Sequence, residues 1–147
     1  LGMTDKQELR DIRYGSLLHD VGKIGISDSI LLKAGVLSTS DWVEMKKHPE
    51  YGANILRGIN FLEGALSVVL YHQECWDGRG YPKGLKGEEI PWAARIFAII
   101  DVYDALVSDR PYRKAMTRSY ALDYVRSKRG ILFDPQVVDM FVELVSG

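Results

Sequence analysis

The three histidines of the chain and two of its aspartates are the residues best suited to bind a metal ion. His19 is followed directly by Asp20, and the other histidines are His48 and His72. Imidazole nitrogen and carboxylate oxygen together suit Mn, Fe or Zn. Asp101 lies in the apolar stretch ARIFAIIDVYDAL, where a buried carboxylate must be protonated, paired or bound to a cation. Each residue also has a plain structural interpretation, as a capping or hydrogen-bonded histidine, a solvated aspartate or a helix-to-helix hydrogen bond.

Basic residues near these candidates would suit an anionic substrate. Lys23 follows His19 by four residues, and Arg110 and Arg113 follow Asp101 by nine and twelve. Arginine binds phosphate through its planar fork, whereas lysine acts as a point charge. A metal centre with these cations nearby would suit a phosphodiester, although the two arginines are equally typical of a solvated helix end.

The hydrophobic pattern predicts that helices position these residues. Apolar residues recur at helical spacing along most of the chain, and no alternating strand pattern interrupts them. Capping signals mark several starts, including a Thr4–Gln7 box, a Ser38–Asp41 cap and Asp134 before a proline. We expect one all-α domain with helices over about 4–21, 38–47, 49–56, 61–73, 92–106, 117–128 and 134–145, and a short apolar turn within 26–36.

One segment cannot be regular structure. Residues 76–91, WDGRGYPKGLKGEEIP, contain four glycines and two prolines. Unstructured loops of this length inside compact domains are uncommon and usually functional. The loop begins shortly after His72.

Composition excludes several classes of protein. The 19 basic and 20 acidic residues give a net charge of -1, which argues against a nucleic-acid polymer or a membrane surface as partner. No apolar run is long enough to span a bilayer, and the N-terminus does not resemble a signal peptide. Cys75 is the only cysteine, so an internal disulfide and a thiolate metal site are excluded, and a reducing, cytoplasmic compartment is favoured.

These motifs resemble the HD-GYP family, a subgroup of the HD superfamily of helical metal-dependent phosphohydrolases. The matching stretches are LLHDVGKIGISDSILLKAGVL, KKHPEYGANIL, HQECWDGRGYPKGLKGEEIP, ARIFAIIDVYDAL and DRPYR, within a resemblance that runs from about Leu9 to Val145. The resemblance implies an HD-domain helical bundle with a long Gly-rich GYP loop. It also implies hydrolysis of the bacterial second messenger cyclic di-GMP to pGpG or GMP, in a larger sensor or response-regulator protein.

The family resemblance also assigns roles to individual residues. It implies two divalent ions, iron or manganese, bridged by Asp20, with Asp20 and Lys23 as the catalytic residues. The implied metal ligands are His19, Asp20, His48, His72 and Asp101. The expected substrate-binding residues are Lys23, Gly80, Tyr81, Pro82, Asp104, Arg110 and Arg113. Diguanylate cyclase (GGDEF) domains are candidate protein partners of the loop.

Two departures from the family pattern concern the metal centre. Gln73 stands where the family has a second histidine, and its amide oxygen is a poor replacement for imidazole. The sequence starts where a helix carrying further ligands should end, and no histidine precedes His19. We therefore expect a single domain over 1–147 without that helix, no third metal and an impaired phosphodiesterase. The alternative is a catalytically degenerate module that binds cyclic di-GMP or a protein.

Overall fold

The structure, a computed structural model, describes residues 6–110 and 113–146 and confirms the all-α class. The described residues form eight α-helices, three short 3-10 helices and two isolated β-bridges. The α-helices are α1 (Lys6–Leu18), α2 (Asp28–Leu31), α3 (Thr39–Met45), α4 (His48–Leu56), α5 (Leu66–Tyr71), α6 (Trp92–Val107), α7 (Arg118–Ser127) and α8 (Pro135–Ser146). The 3-10 helices are Val21–Gly25, Asn60–Leu62 and Gly87–Glu89.

Local signals explain most helix boundaries. Ser38 and Asp41 form the predicted capping box of α3, and α8 begins at Pro135, directly after Asp134. The Thr4–Gln7 box includes Thr4, which lies outside the described residues. The prediction of a helix from residue 61 is wrong, because α5 begins only at Leu66.

Gly64 accounts for that late start. Glycine is a poor helix former, and a Cβ at this position would lie 2.1 Å from Oδ2 of Asp11 on α1. The residues before Gly64 form only a 3-10 turn, and α5 begins after this glycine.

Two apolar clusters hold the helices together. The larger surrounds Ile96 and Ile99 of α6 and includes Val125 of α7 and Phe141 of α8. The smaller joins α4 to α5 and contains Leu56, Leu62 and Val69. Helix α6 packs against α1, α5, α7 and α8 and is the centre of the fold, as its apolar sequence predicted. No helix within 6–110 or 113–146 is long and apolar enough to cross a membrane.

Candidate metal centre

Helix ends bring the three histidines together. His19 follows the last residue of α1, His48 begins α4, and His72 follows the last residue of α5. Each Nδ1 lies within hydrogen-bond distance of the carbonyl oxygen three residues earlier. A carbonyl can only accept, so Nδ1 carries the proton and Nε2 is left as a free ligand atom. The acceptors are Ser16, Met45 and Val69, at 2.7, 2.8 and 3.0 Å respectively.

The free nitrogens and the carboxylate of Asp20 converge. The ligand atoms of Asp20, His48 and His72 all lie within 4.8 Å of one another, so these three residues could hold a metal ion. His48 Nε2 lies 3.2 Å from His72 Nε2 and 3.6 Å from Asp20 Oδ1. On the other side, His19 Nε2 lies 3.4 Å from Asp20 Oδ2 and 4.0 Å from Asp101 Oδ1.

The spacing between His48 and His72 tests whether this donor set fits a metal. With both Nδ1 atoms protonated, the two Nε2 lone pairs lie 3.2 Å apart with no hydrogen between them, which is repulsive. An ion bound to both nitrogens at about 2.1 Å would separate them by about 3.0–3.4 Å, depending on geometry. The observed separation falls in that range, so the residues present fit a divalent cation.

The protonation states also favour metal binding. Burial lowers the pKa of His72 to about 4, helped by the neighbouring His19, and burial also lowers the pKa of His48. Burial alone would raise the pKa of Asp20, but the hydrogen bond and positive charge of Lys23, together with the neighbouring His19 and His48, outweigh burial and lower that pKa. At neutral pH the two imidazoles are therefore neutral and the carboxylate is ionised, which are the states that ligate metals.

Tight packing of the turn after α1 holds Asp20 and Lys23 in place. Lys23 Nζ donates to Asp20 Oδ2 at 2.7 Å. Gly22 lies so close to α4 that a Cβ would be 1.8 Å from the carbonyl oxygen of His48 and 2.3 Å from Gly52 N. Only glycine allows this approach, which places the His19–Asp20 pair directly beside His48.

Asp101 reaches the cluster from α6, but the expectation that it is buried is wrong. Its side chain is 40% exposed. The helix face that carries it opens onto a cavity of about 210 Å³ that is also lined by His72, Gln73 and Cys75. Gln73 therefore lies beside two of the candidate ligands, at the position where the family pattern has a histidine.

The Gly-rich loop lies against the same centre. Tyr81 N donates to the carbonyl oxygen of Gln73 at 3.1 Å, and the Tyr81 ring stands edge-on to His48 with 6.3 Å between centroids. Burial raises the pKa of the Tyr81 hydroxyl to about 12, with a contribution from the negative charge of Asp20. The Tyr81–Pro82 peptide is cis. Tyr81 thus lies beside the candidate ligand His48, and Gly80 packs against residues 73–75, directly after the candidate ligand His72.

The structure also shows a residue that sequence reasoning missed. Glu74 is 4% exposed, and its carboxylate accepts hydrogen bonds from the backbone of the loop. A signal was present in the sequence, because a loop without regular structure needs acceptors for its N–H groups and Glu74 lies two residues before this loop. The donors are the N–H groups of Lys83, Gly84 and Leu85, at 2.7, 3.1 and 3.0 Å.

The remaining predicted substrate residues make local contacts. Asp104 is exposed and accepts a 3.5 Å hydrogen bond from Ser108. Arg110 and Arg113 pair through their backbones around the two residues that are not described, and the Arg113 guanidinium donates to the carbonyl of Ala105. Their roles in binding substrate stay predictions.

The described residues form an all-α domain that brings histidines and Asp20 together as a candidate metal site, and this combination points to a class of metal-dependent proteins. The family model described as HD domain matches residues 1–137, and the chain belongs to the HD-domain family, in its HD-GYP branch. The chain is 48% identical over 141 residues to the cyclic di-GMP phosphodiesterase response regulator RpfG of Xanthomonas campestris, covering 95% of this chain and 37% of that protein.

Two further relatives have related names. A cyclic di-GMP phosphodiesterase of Thermotoga maritima is 43% identical, over 91% of this chain and 37% of its own length. The 3'3'-cGAMP-specific phosphodiesterase 2 of Vibrio cholerae is 41% identical, over 90% of this chain and 26% of its own length. The chain therefore spans well under half of the curated relatives that it matches.

Two solved structures share the fold. The cyclic GMP-AMP phosphodiesterase V-cGAP3 of V. cholerae superimposes with a TM-score of 0.74 at 22% identity, over 97% of this chain and 39% of that chain. Bd1817, an HDG"Y"P protein of Bdellovibrio bacteriovorus, gives 0.73 at 21% identity, over 99% and 46%. These similarities confirm the HD-GYP helical fold that the sequence predicted.

Proposed function

We propose that this domain hydrolyses a phosphodiester bond of cyclic di-GMP, giving pGpG or GMP, with two divalent ions of iron or manganese. The observation that carries the proposal is the convergence of the ligand atoms of Asp20, His48 and His72. His19 lies beside Asp20 and Asp101, and Lys23 is bonded to Asp20. The names of the relatives support cyclic di-GMP as the substrate.

The geometry of Asp20 supports two ions with a shared carboxylate. Its Oδ1 is directed toward His48 at 3.6 Å, and its Oδ2 lies 3.4 Å from His19 Nε2. His72 adds a ligand on the first side and Asp101 on the second. A pair of such ions would lower the pKa of a bound water and stabilise the attacking and leaving oxygens of the diester.

The protein groups have separate tasks in this reaction. The four remaining ligands would hold the ions from the end of α1, the start of α4, the end of α5 and the middle of α6, and Lys23 would offer a positive charge to the phosphate beside Asp20. The loop residues Gly80, Tyr81 and Pro82 form a wall of the substrate site next to His48. Arg110 and Arg113, with Asp104, would contact the parts of the nucleotide that lie away from the metal.

The arginine assignment has its own test. Arg110→Ala and Arg113→Ala should each weaken nucleotide binding, measured by calorimetry, and leave the metal content of the protein unchanged. Arg126→Ala is a matched control, because Arg126 is an exposed arginine of α7 that pairs only with Asp123 at 3.0 Å in the described contacts. Nucleotide affinities equal to that of the parent in both variants would contradict the assignment.

The decisive experiment is turnover of cyclic di-GMP by protein loaded anaerobically with Fe or Mn. Products are separated by chromatography, and 3'3'-cGAMP is assayed in parallel because one relative is named for that substrate. Asp20→Asn should abolish turnover. Asp139→Asn should not, because Asp139 is an exposed residue of α8 whose carboxylate is bonded to Arg129. Metal-loaded protein that binds either nucleotide without cleaving it would instead show a degenerate binding module.

We also propose that the loop contacts a diguanylate cyclase (GGDEF) domain and that the chain works within a longer cytoplasmic bacterial signalling protein. Arg79 of the loop is 76% exposed, although it is paired with Asp77 of the same loop, and one relative is named as a response regulator. A pull-down with purified GGDEF domain should lose the partner on Tyr81→Ala. Full retention by that variant would argue against the loop as the contact.

A further inference from the structure

Glu74 is a buried carboxylate whose hydrogen-bond partners are N–H groups of the loop backbone. The buried Asp134 pairs with Arg95 at 2.7 Å. Glu74 instead accepts three backbone N–H groups, from Lys83 to Leu85, at 2.7–3.1 Å. Burying an ionised group is costly unless it is hydrogen-bonded, and hydrogen bonds to a charged acceptor are stronger than neutral ones. If the loop left this position, the Glu74 carboxylate would either become exposed to solvent or stay buried without hydrogen-bond donors.

The short segment after α5 holds the loop from two sides. Before Pro82, the carbonyl of Gln73 accepts the N–H of Tyr81 at 3.1 Å. After Pro82, Glu74 binds the next three N–H groups. Gly80 packs so closely that a Cβ there would be 2.4 Å from the Cα of Glu74. The same segment carries the metal ligand His72, so the loop and the metal centre share one anchor.

We infer that Glu74 is a positioning residue for the substrate site. It holds the Tyr81–Pro82 turn beside His48, so that the turn forms a ready wall of the site before substrate arrives. Such preorganisation improves binding because the loop need not be ordered when the substrate binds. This inference rests on the proposed function for its kinetic consequence, but the loop anchor itself can be measured without any substrate.

Glu74→Gln is the most conservative test of the anchor. The amide keeps the shape of the side chain but has a single acceptor oxygen, and its NH2 group would face a backbone donor. At least one of the three hydrogen bonds is lost. Glu89→Gln is the matched control, because Glu89 is an exposed carboxylate of the same loop that accepts one backbone N–H, from Lys86 at 2.9 Å.

Hydrogen exchange read by NMR tests the anchor directly. In the parent protein the amides of residues 81 and 83–85 should be protected although they lie in an irregular loop. Glu74→Gln should speed exchange within residues 83–85 about tenfold or more, as for loss of a hydrogen bond to a charged group, while α6 and α8 keep their protection. Unchanged exchange at 83–85, or unprotected amides in the parent, would overturn the inference. The exchange rates of these amides in the parent protein test the inference even if the variant does not fold.

Kinetics separate positioning from a general structural role. With the metal content unchanged, Glu74→Gln should raise the KM for cyclic di-GMP about tenfold and change kcat less than about threefold, since it removes binding and not chemistry. The small diester bis(p-nitrophenyl) phosphate lacks the nucleotide groups that the loop would contact, so we expect the variant to cleave it at the parental rate. Equal losses on both substrates, or loss of metal, would show a merely structural role. If the parent cleaves the small diester but not cyclic di-GMP, the proposed substrate fails while the exchange result still decides the anchor.

Discussion

Binding of a divalent ion should raise the melting temperature of this domain by an amount that can be calculated. The three rings are already oriented by bonds from Nδ1 to carbonyl oxygens, so the folded chain offers a formed site that the unfolded chain lacks. At a free ion concentration of 100 times Kd, the free energy of unfolding rises by about 2.7 kcal/mol. For 147 residues the unfolding entropy is about 0.3 kcal/mol per kelvin, so the midpoint should rise by about 9 °C.

The assay is thermal unfolding of chelator-treated protein, followed by circular dichroism during a titration with Mn²⁺. All three histidines of the chain belong to the cluster, so no other imidazole can contribute to the shift. Asp20→Asn should remove most of the shift, because Asp20 lies between both groups of ligands. Asp139→Asn should keep it, because that carboxylate belongs to an exposed ion pair with Arg129.

Two results would refute the reasoning. A full shift in Asp20→Asn would mean that the ion binds elsewhere. A parent protein that shows no shift up to millimolar Mn²⁺ or Fe²⁺ would mean that the convergence of nitrogens at 3.2 Å does not make a metal site.

Three other perturbations test separate features. Gln73→His should raise metal content and turnover together, measured by elemental analysis and product formation, and no gain in either would count against a ligand position there. Gly22→Ala should lower the free energy of unfolding, measured in urea, by about 1–3 kcal/mol, because the new Cβ would lie 1.8 Å from the carbonyl oxygen of His48. A variant as stable as the parent would show that the turn after α1 can move away from α4. Burial raises the pKa of the Cys75 thiol, so its alkylation at pH 8 should be slower in the folded protein than in the unfolded chain. The rate in the folded protein should increase with pH through the range above 9. Equal alkylation rates in the folded and unfolded protein would contradict this burial.

Local signals predicted the helices because those signals depend on neighbours in sequence. The Ser38–Asp41 box and the Asp134–Pro135 start are of this kind. The start of α5 was mispredicted because Gly64, a poor helix former, interrupts the apolar pattern just before Leu66. An apolar pattern alone does not show where within such a stretch the helix begins.

The same distinction applies to the site. The residue types of the cluster pointed to metal chemistry, and the structure brings His19, His48 and His72 together with Asp20. The burial of Asp101 was mispredicted, because its helix is apolar on average but opens onto a cavity at that residue. The contacts of Glu74 were not predicted, because they are made with loop backbone whose path the sequence pattern does not specify.

The structural and the functional interpretations of the three histidines are compatible. The last carbonyls of a helix lack an N–H partner from the next turn, and a histidine just past the helix can donate to one of them. The acceptors Ser16, Met45 and Val69 lie in the last turns of α1, α3 and α5. Each histidine is therefore a cap through Nδ1, and this bond is what selects the tautomer that leaves Nε2 free for a metal. A substitution that keeps the cap but moves the free nitrogen would separate the two roles.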